Sequence, residues 1–331
     1  DGGVLSESEY KSLMDGYSGD HWSQVDGASK ALRSPRPGSL EDLNDAYNSF
    51  LSRFQGSDYQ RARKPRAFDE IAYAKKGESV LRRGVVAFKL LKPDDDSESW
   101  AVFDQRKAME IAAWVRGYLC DRSKSDGFPG DSEVYVAGHV SQEERNGKTP
   151  LRFSYLPLPS LGHERADGGV RRFLLAGPYG GNEEPLRWAR QALSYAVVKD
   201  KGGVPMARLQ PIEHDGVLRH YLGEATTFRT VTPVILPGYD DRSYSKAQRL
   251  VEKALVQAGF SVEDLAEPLN LQKAPFYNGC YAPWSYSLPR YLKGHSAMHV
   301  RLKWKEKVSG PFAIGAGRHF GLGLFSSCGD E

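Results

Sequence analysis

From about residue 84 onward, apolar and polar positions follow rules that can be read element by element. Val85–Leu91 alternates with period two and predicts a strand, Pro93–Asp96 a turn, and Trp100–Phe103 a short strand. Over Gln105–Leu119 the period becomes helical, with Ile111, Trp114, Val115 and Tyr118 on one stripe. Glu133–Val140 and Arg152–Pro157 read as strands around a polar turn at Gln142–Lys148, and Val170–Ala176 as another strand. Glu183–Val198 predicts a second helix with Trp188, Ala192 and Tyr195 facing inward, and Met206–Pro211 a closing strand. In order this is β, α, two or more β, α, β: a ferredoxin-like sheet with both helices on one face.

The pattern then begins again. Arg229–Leu236 predicts a strand, and Ser243–Ala258 a helix with Leu250, Ala254, Leu255 and Ala258 at core spacing. Leu269–Phe276 is extended, His295–Lys307 is a long alternating strand, and Phe312–Ile314 and Leu322–Phe325 flank a glycine-rich loop. The expected fold is α+β: tandem ferredoxin-like (RRM-like) domains over 81–215 and 226–331, the second ending in that loop. Residues 1–80 form a less defined helical and basic region. In it Ser39 caps a helix from Leu40 to about Phe54, with an apolar stripe of Leu40, Leu43, Tyr47, Phe50 and Leu51.

Composition narrows the function classes. Lys and Arg number 45 against 42 Asp and Glu, so no global basic field announces nucleic acid. Any such contact rests on local patches, one being the run Arg61, Arg63, Lys64, Arg66, Lys75, Lys76, Arg82 and Arg83. That run reads as a solvated face or as a phosphate-contacting arm. Three cysteines at 120, 280 and 328, with no C-x-x-C, point away from zinc and from a disulfide framework and suit a reducing cytoplasm. No apolar run has the length of a membrane span. The opening Asp1-Gly2-Gly3 reads as a processed product or a piece of a longer chain.

Gly315, Gly317, Gly321 and Gly323 fall within nine residues, with Arg318 and His319 between them. Three residues separate Gly317 from Gly321, one too many for a dinucleotide fingerprint, and no Gly-Lys-Ser/Thr is present. The loop is either a tight bulged hairpin or a place where backbone N–H groups approach a polyanion. His295 and His299 are spaced as a helical zinc pair would be, but on a strand they stand roughly 13 Å apart, so no metal site is expected. On that strand Arg301, Lys303, Lys305 and Lys307 share one face and Val300, Leu302 and Trp304 the other. The cations form either a solvated edge or a phosphate track leading to the glycine loop.

Gly310–Phe325 resembles the C-terminal signature of the repeat-associated RNA-binding proteins of CRISPR systems. It looks like the terminal block of the fused five/six-type Cas subunit of type I-U (I-G) systems. Leu156–His163 with Ala166–Gly168 and Val170–Pro178 resembles a second block of that family, and Thr230–Pro237 a third. The resemblance implies an endoribonuclease that cuts CRISPR repeat RNA into guide RNAs and needs no cofactor. It also implies CRISPR repeat RNA, guide RNA and other Cas effector subunits as partners, in the cytoplasm. The alternative is a non-catalytic guide-RNA-binding subunit of an effector complex.

Cutting RNA without a metal needs a base for the 2′-hydroxyl proton, an acid for the leaving oxygen, and cations or N–H donors for the charge on phosphorus. Histidine suits the proton work. His163, on the loop after Gly162, is the first candidate, with Arg165, Arg171 and Arg172 close in sequence; its alternative role is to cap that loop. Asp167 most simply closes the turn with Gly168. The family's repeat-processing members commonly carry a histidine near the start of the first ferredoxin-like unit, where the helix Gln105–Leu119 has none, and a second one where this chain has Arg165. His319 is the runner-up, His139 the third, and Tyr155 and Lys303 are possible assistants. The expected RNA-binding set is Arg165, Arg171, Arg172, Arg301, Lys303, Lys305, Gly315, Gly317, Arg318, Gly321 and Gly323.

Overall fold

The structure, a computed structural model, describes residues 6, 8, 9, 12, 22–24, 30–52, 67–75, 83–94, 99–139, 151–162, 166–213 and 215–328. Two compact units divide the chain at Arg82/Arg83. In the first, β1 (Trp22–Gln24), β2 (Lys30–Pro35) and β3 (Phe68–Lys75) form an antiparallel sheet in the order β1-β3-β2. Helix α1 (Ser39–Ser52) matches the expected helix, and Asp42 accepts the Ala67 N–H at 2.8 Å, tying the helix to the approach to β3. Its apolar stripe, Leu40, Leu43, Tyr47, Phe50 and Leu51, stays exposed.

The second unit opens with β4 (Arg83–Leu91), followed by α2 (Ala108–Ser125), the helical turn α3 (Ser132–Tyr135), β5 (Ser154–Pro159), β6 (Val170–Tyr179), α4 (Glu184–Leu193), β7 (Val197–Lys199) and β8 (Pro205–Ile212). The strands form one antiparallel sheet, β5-β6-β4-β8-β7. Period-two alternation sends Phe88, Leu90, Phe173 and Leu175 to one face, under Ile111, Val115 and Leu119 of α2 and Leu186, Ala189 and Leu193 of α4. The residues between them, Ala87, Leu174 and Ala176, face the other way. There they meet α5 (Leu218–Leu222) together with Val231 and Leu324 from the following sheet.

That following sheet is also antiparallel. It comprises β9 (Glu224–Thr230), β10 (Val234–Ile235), β11 (Asn270–Gln272), β12 (Ala297–Ser309) and β13 (Phe325–Ser327), in the order β10-β12-β9-β13 with β11 also on β12. Helix α6 (Tyr244–Gln257) starts at Ser243, whose hydroxyl accepts the Lys246 N–H, and lays Ala247, Val251, Ala254 and Leu255 on Val300, Leu302 and Trp304.

Six local expectations change. Arg229–Leu236 is split between β9 and β10, with residues 231–233 in neither, and Leu269–Phe276 is strand only over Asn270–Gln272. Trp100 and Phe103 make only isolated bridges, to Leu91 and Val170. Of the strand expected at Glu133–Val140, the described residues 133–139 form none, because Asp131 caps residues 132–135 by accepting the Glu133 and Val134 N–H groups. Helix α4 stops at Leu193, where Tyr195 turns to φ 61° and remains 65% exposed rather than inward, and β-branched Val197–Val198 become strand. Trp114 and Tyr118 are only partly buried, so the inner stripe of α2 runs through Ile111, Ala112, Val115 and Leu119. Among the described residues no helix is long and apolar enough to cross a membrane.

Candidate functional site

The glycine-rich loop is a docking device. Gly317 (φ 85°) and Gly321 (φ 80°) bracket a single helical turn, Arg318–Phe320. A Cβ on Gly321 would lie 2.7 Å from the Pro157 ring of β5, and one on Gly323 2.0 Å from the Ile314 carbonyl. Only glycine both reaches this backbone region and allows that approach. Gly315 likewise packs on the Ile235 carbonyl of β10. Several loop N–H groups are already paired: Ala316 to Ile235, Gly323 to Pro233, and Phe320 and Leu322 to Gly317. The glycines therefore bring protein against protein, and the expected backbone cradle for phosphate gives way to the side chains they deliver.

Those side chains are Arg318, His319 and Phe320. Phe320 stacks on the Tyr155 ring, 6.1 Å between centroids. His319 reaches the first residue of β5, its Nδ1 lying 2.8 Å from the hydroxyl of Ser154, which is 1% exposed. The same hydroxyl accepts from Arg83 Nη2 at 2.6 Å, while Arg83 Nε donates to the Gly177 carbonyl at 2.7 Å and the guanidinium stacks over Tyr179. Arg318 donates to the Gln257 carbonyl at 3.1 Å, at the end of α6. Arg152 lines the same small pocket, walled by Pro178, Ala258 and Ala313.

The electrostatics follow from that convergence. Burial, then Arg152, Arg318 and Arg83, hold the His319 imidazole well below its usual pKa, so it is neutral at pH 7. Burial, then Arg152 and Arg83, lower Arg318 to about 10, and burial lowers Arg83 as well. Neither Arg83 nor Arg318 meets a carboxylate among the described residues. His319 keeps part of its surface exposed, yet Nε2 is covered and has no hydrogen-bond partner. Guanidiniums are the groups that pair with an anion, and an imidazole with one unused nitrogen is a group that can exchange a proton near neutral pH.

The other expected residues are placed differently. His163 and Arg165 lie outside the described residues; beside them, Gly162 packs directly under His220. Arg171 is bound to Asp167, whose carboxylate also accepts the Gly169 N–H at 2.9 Å and is held well below its usual range. Arg172 pairs with Asp215 at 2.7 Å, both side chains 13% exposed, and stacks over Trp100. Both arginines are thus committed to carboxylates, which corrects their reading as phosphorane stabilisers. Tyr155 is corrected too: it is 1% exposed, gives its hydroxyl proton to the Val136 carbonyl at 2.9 Å, and is raised in pKa by burial. His139 sits on the surface, 2.9 Å from Glu133.

On β12 the alternation holds, with Val300, Leu302 and Trp304 in the core and Arg301, Lys303 and Lys305 outside it. Lys303 is 2.6 Å from Glu267. His299 is a core histidine between Thr230 and the Tyr281 carbonyl, and His295 bonds the Leu236 carbonyl. Among the described residues no group of three His, Cys, Asp or Glu side chains is placed to hold a metal.

Sequence reasoning put Arg83 in a basic run and overlooked Arg152 and Ser154. Ser154 carries a signal, a hydroxyl in the apolar-rich segment Phe153–Leu158, but nothing local tells which histidine it meets 165 residues later.

The model of the GSU0054 family of CRISPR-associated proteins matches residues 2–327. No curated protein matches. Among solved structures, that of Thermus thermophilus Cse3 bound to an RNA representing a pre-cleavage complex is similar over 73% of this chain and 98% of that one, at 14% identity and a TM-score of 0.30.

Proposed function

Since the chain belongs to the GSU0054 family of CRISPR-associated proteins, we propose that it binds CRISPR repeat RNA and cuts it without a metal, at the pocket of His319, Arg83 and Arg318. Its products are guide RNAs, its setting the cytoplasm, and its further partners other Cas effector subunits. The observation that carries this reading is a neutral imidazole whose Nε2 lacks a partner, held among guanidiniums. The tandem ferredoxin-like reading belongs with it. The first sheet runs β4, α2, β5, β6, α4, β8 with spatial order β5-β6-β4-β8 and both helices over one face. The following sheet has α6 on one face and delivers the loop.

In this mechanism the RNA backbone docks on Arg83 and Arg318 at the mouth of the pocket, whose free interior is only about 20 Å³, and the docking uncovers His319 Nε2. The negative charge of the phosphodiester offsets the guanidiniums and raises the His319 pKa toward neutrality. With Nδ1–H donated to Ser154, Nε2 presents its lone pair and takes the proton of the 2′-hydroxyl. The 2′ oxygen bonds to phosphorus, the bond to the 5′ oxygen breaks, that oxygen takes a proton from water, and the hydroxide left takes the proton from His319, restoring the neutral imidazole. A 2′,3′-cyclic phosphate and a 5′-hydroxyl result. The guanidiniums hold the charge gathered on the phosphorane.

The test is cleavage of end-labelled repeat RNA in EDTA. His319→Ala is expected to cut at least about a hundredfold more slowly while binding nearly as tightly, and a 2′-deoxy scissile nucleotide is expected to block the parent. If His163→Ala is the slow variant and His319→Ala is not, the chemistry belongs to the loop after Gly162. If the parent binds without cutting, the chain is a guide-RNA-binding subunit.

A further inference from the structure

A groove of about 1170 Å³ runs along the outer side of α2, bounded by the β7–β8 turn and by residues 287–291. Its aromatic side chains are Trp114, Tyr118, Phe320 and Tyr291, the last 68% exposed. The turn adds Lys199 and Lys201, both exposed and without an ion-pair partner among the described residues. Arg116 enters with its guanidinium 5.8 Å from the Phe320 ring. Three carboxylates also line the groove, each engaged locally. Glu110 accepts from Ser287 at 3.1 Å, Asp200 folds onto the Gly202 and Val204 N–H groups, and Asp121 faces Lys124 at 3.8 Å.

Phe320 joins this groove to the pocket described above. The guanidinium of Arg152, a pocket residue, lies 5.6 Å from the same ring that Arg116 covers from the groove. Aromatic faces beside unpaired lysines suit an unpaired polynucleotide, because every base has a π-face and every linkage a charge. A duplex keeps its bases stacked on one another and cannot use the rings.

We propose that the groove holds single-stranded RNA continuous with the scissile phosphate, with bases stacked on Tyr291 and Trp114 and the backbone tracked by Lys199 and Lys201. The proposal rests on the His319 pocket as the place of that phosphate. It adds a substrate requirement: an unpaired flank on the side of the cut that leaves across Phe320.

Tyr291→Ala and the Lys199→Ala/Lys201→Ala pair are surface changes that leave the core intact. Affinity is measured for non-cleavable 2′-deoxy repeat RNAs with the flank on either side of the cut left single-stranded, base-paired or trimmed. Each variant is expected to bind the RNA with one particular unpaired flank about fivefold or more weakly, with little change for the paired and trimmed forms. A 4-thiouridine in that flank is expected to crosslink to α2 or to residues 287–291. Equal losses on all RNAs, or no loss on any, overturn the proposal. So do variants that keep RNA affinity but lose association with another Cas subunit, which would make the groove a protein interface. Arg83→Gln separates the two readings. If it weakens every RNA while the groove variants do nothing, the pocket stands and the groove fails. If Arg83→Gln does nothing while the groove variants discriminate between flanks, the pocket reading fails, and the groove remains an RNA surface without the continuity proposed.

Discussion

The outer face of β12 and the pocket around His319 are both cationic, but they differ in how the charge is assembled. On β12 the cations come from one segment at alternate positions, and Lys303 is already matched by Glu267 at 2.6 Å. In the pocket, Arg83, Arg152 and Arg318 come from three distant segments and meet over a buried serine. Solvated lysines on a strand act mainly through the ionic atmosphere. Converging guanidiniums perturb one another and the imidazole between them, and that is where proton chemistry becomes adjustable. A row of charge is cheap to recognise in a sequence, whereas a cluster has to be folded before it exists.

The sharpest way to break the contrast is to stop the glycine loop from docking. Gly321→Val places a branched side chain where φ is +80° and Pro157 lies 2.7 Å away, so Arg318, His319 and Phe320 move off β5. Cleavage is expected to fall at least about a hundredfold, as for loss of the imidazole itself, with RNA affinity weakened no less than by Arg318→Ala. Full activity in a folded Gly321→Val protein would show that docking is irrelevant to the chemistry.

A middle-sized effect sharpens the electrostatic half. Because burial and then the guanidiniums hold His319 below its ordinary 6.5, the acid limb of kcat/KM is expected below that pH, and Arg318→Gln is expected to move it upward. Stability carries the same sign. A histidine whose folded pKa is depressed binds fewer protons folded than unfolded, so stability is complete above about pH 6.5 and is lost as pH falls below it. His220 and His299, also lowered by burial, add to this loss, and His319→Gln is expected to reduce the slope of urea midpoint against pH without abolishing it. An unchanged slope would mean that the imidazole is not buried neutral.

The smallest effect belongs to β12. Lys303→Ala with Lys305→Ala is expected to lower the slope of log affinity against log salt by at most about 0.7 per lost phosphate contact. An unaltered slope returns these lysines to solvent.

The sheets and long helices were largely legible, because period two and period 3.6 are properties of consecutive residues. β12 and α6 lie within two residues of their expected spans, and α2 occupies the expected place but runs six residues further, to Ser125. Glu133–Val140 misled because a cap at Asp131 outweighs strand propensity over four residues. The pocket was legible only in its last part. Arg318 and His319 stood out among their glycines, but Arg83 looked like the tail of a basic run, and Arg152 and Ser154 looked like the edge of a strand. Arg171 and Arg172 stood out for the same reason of proximity, and their partners Asp167 and Asp215 neutralise both. Nearness along the chain shows that charges are present but not which of them a carboxylate has already claimed.

The contact between Ser154 and His319 also has a consequence in time. It joins residues 165 apart, so it closes one of the longest loops in the molecule, whereas α2, α6 and the hairpins rest on neighbours. Long-range closures are entropically expensive before other contacts support them, so such pairings form after local ones. Until that closure is made, Arg83 and Arg152 lack the imidazole. In the proposed mechanism, a copy whose loop has not docked would carry Arg83 and Arg152 but no proton acceptor between them, and would hold RNA without cutting it.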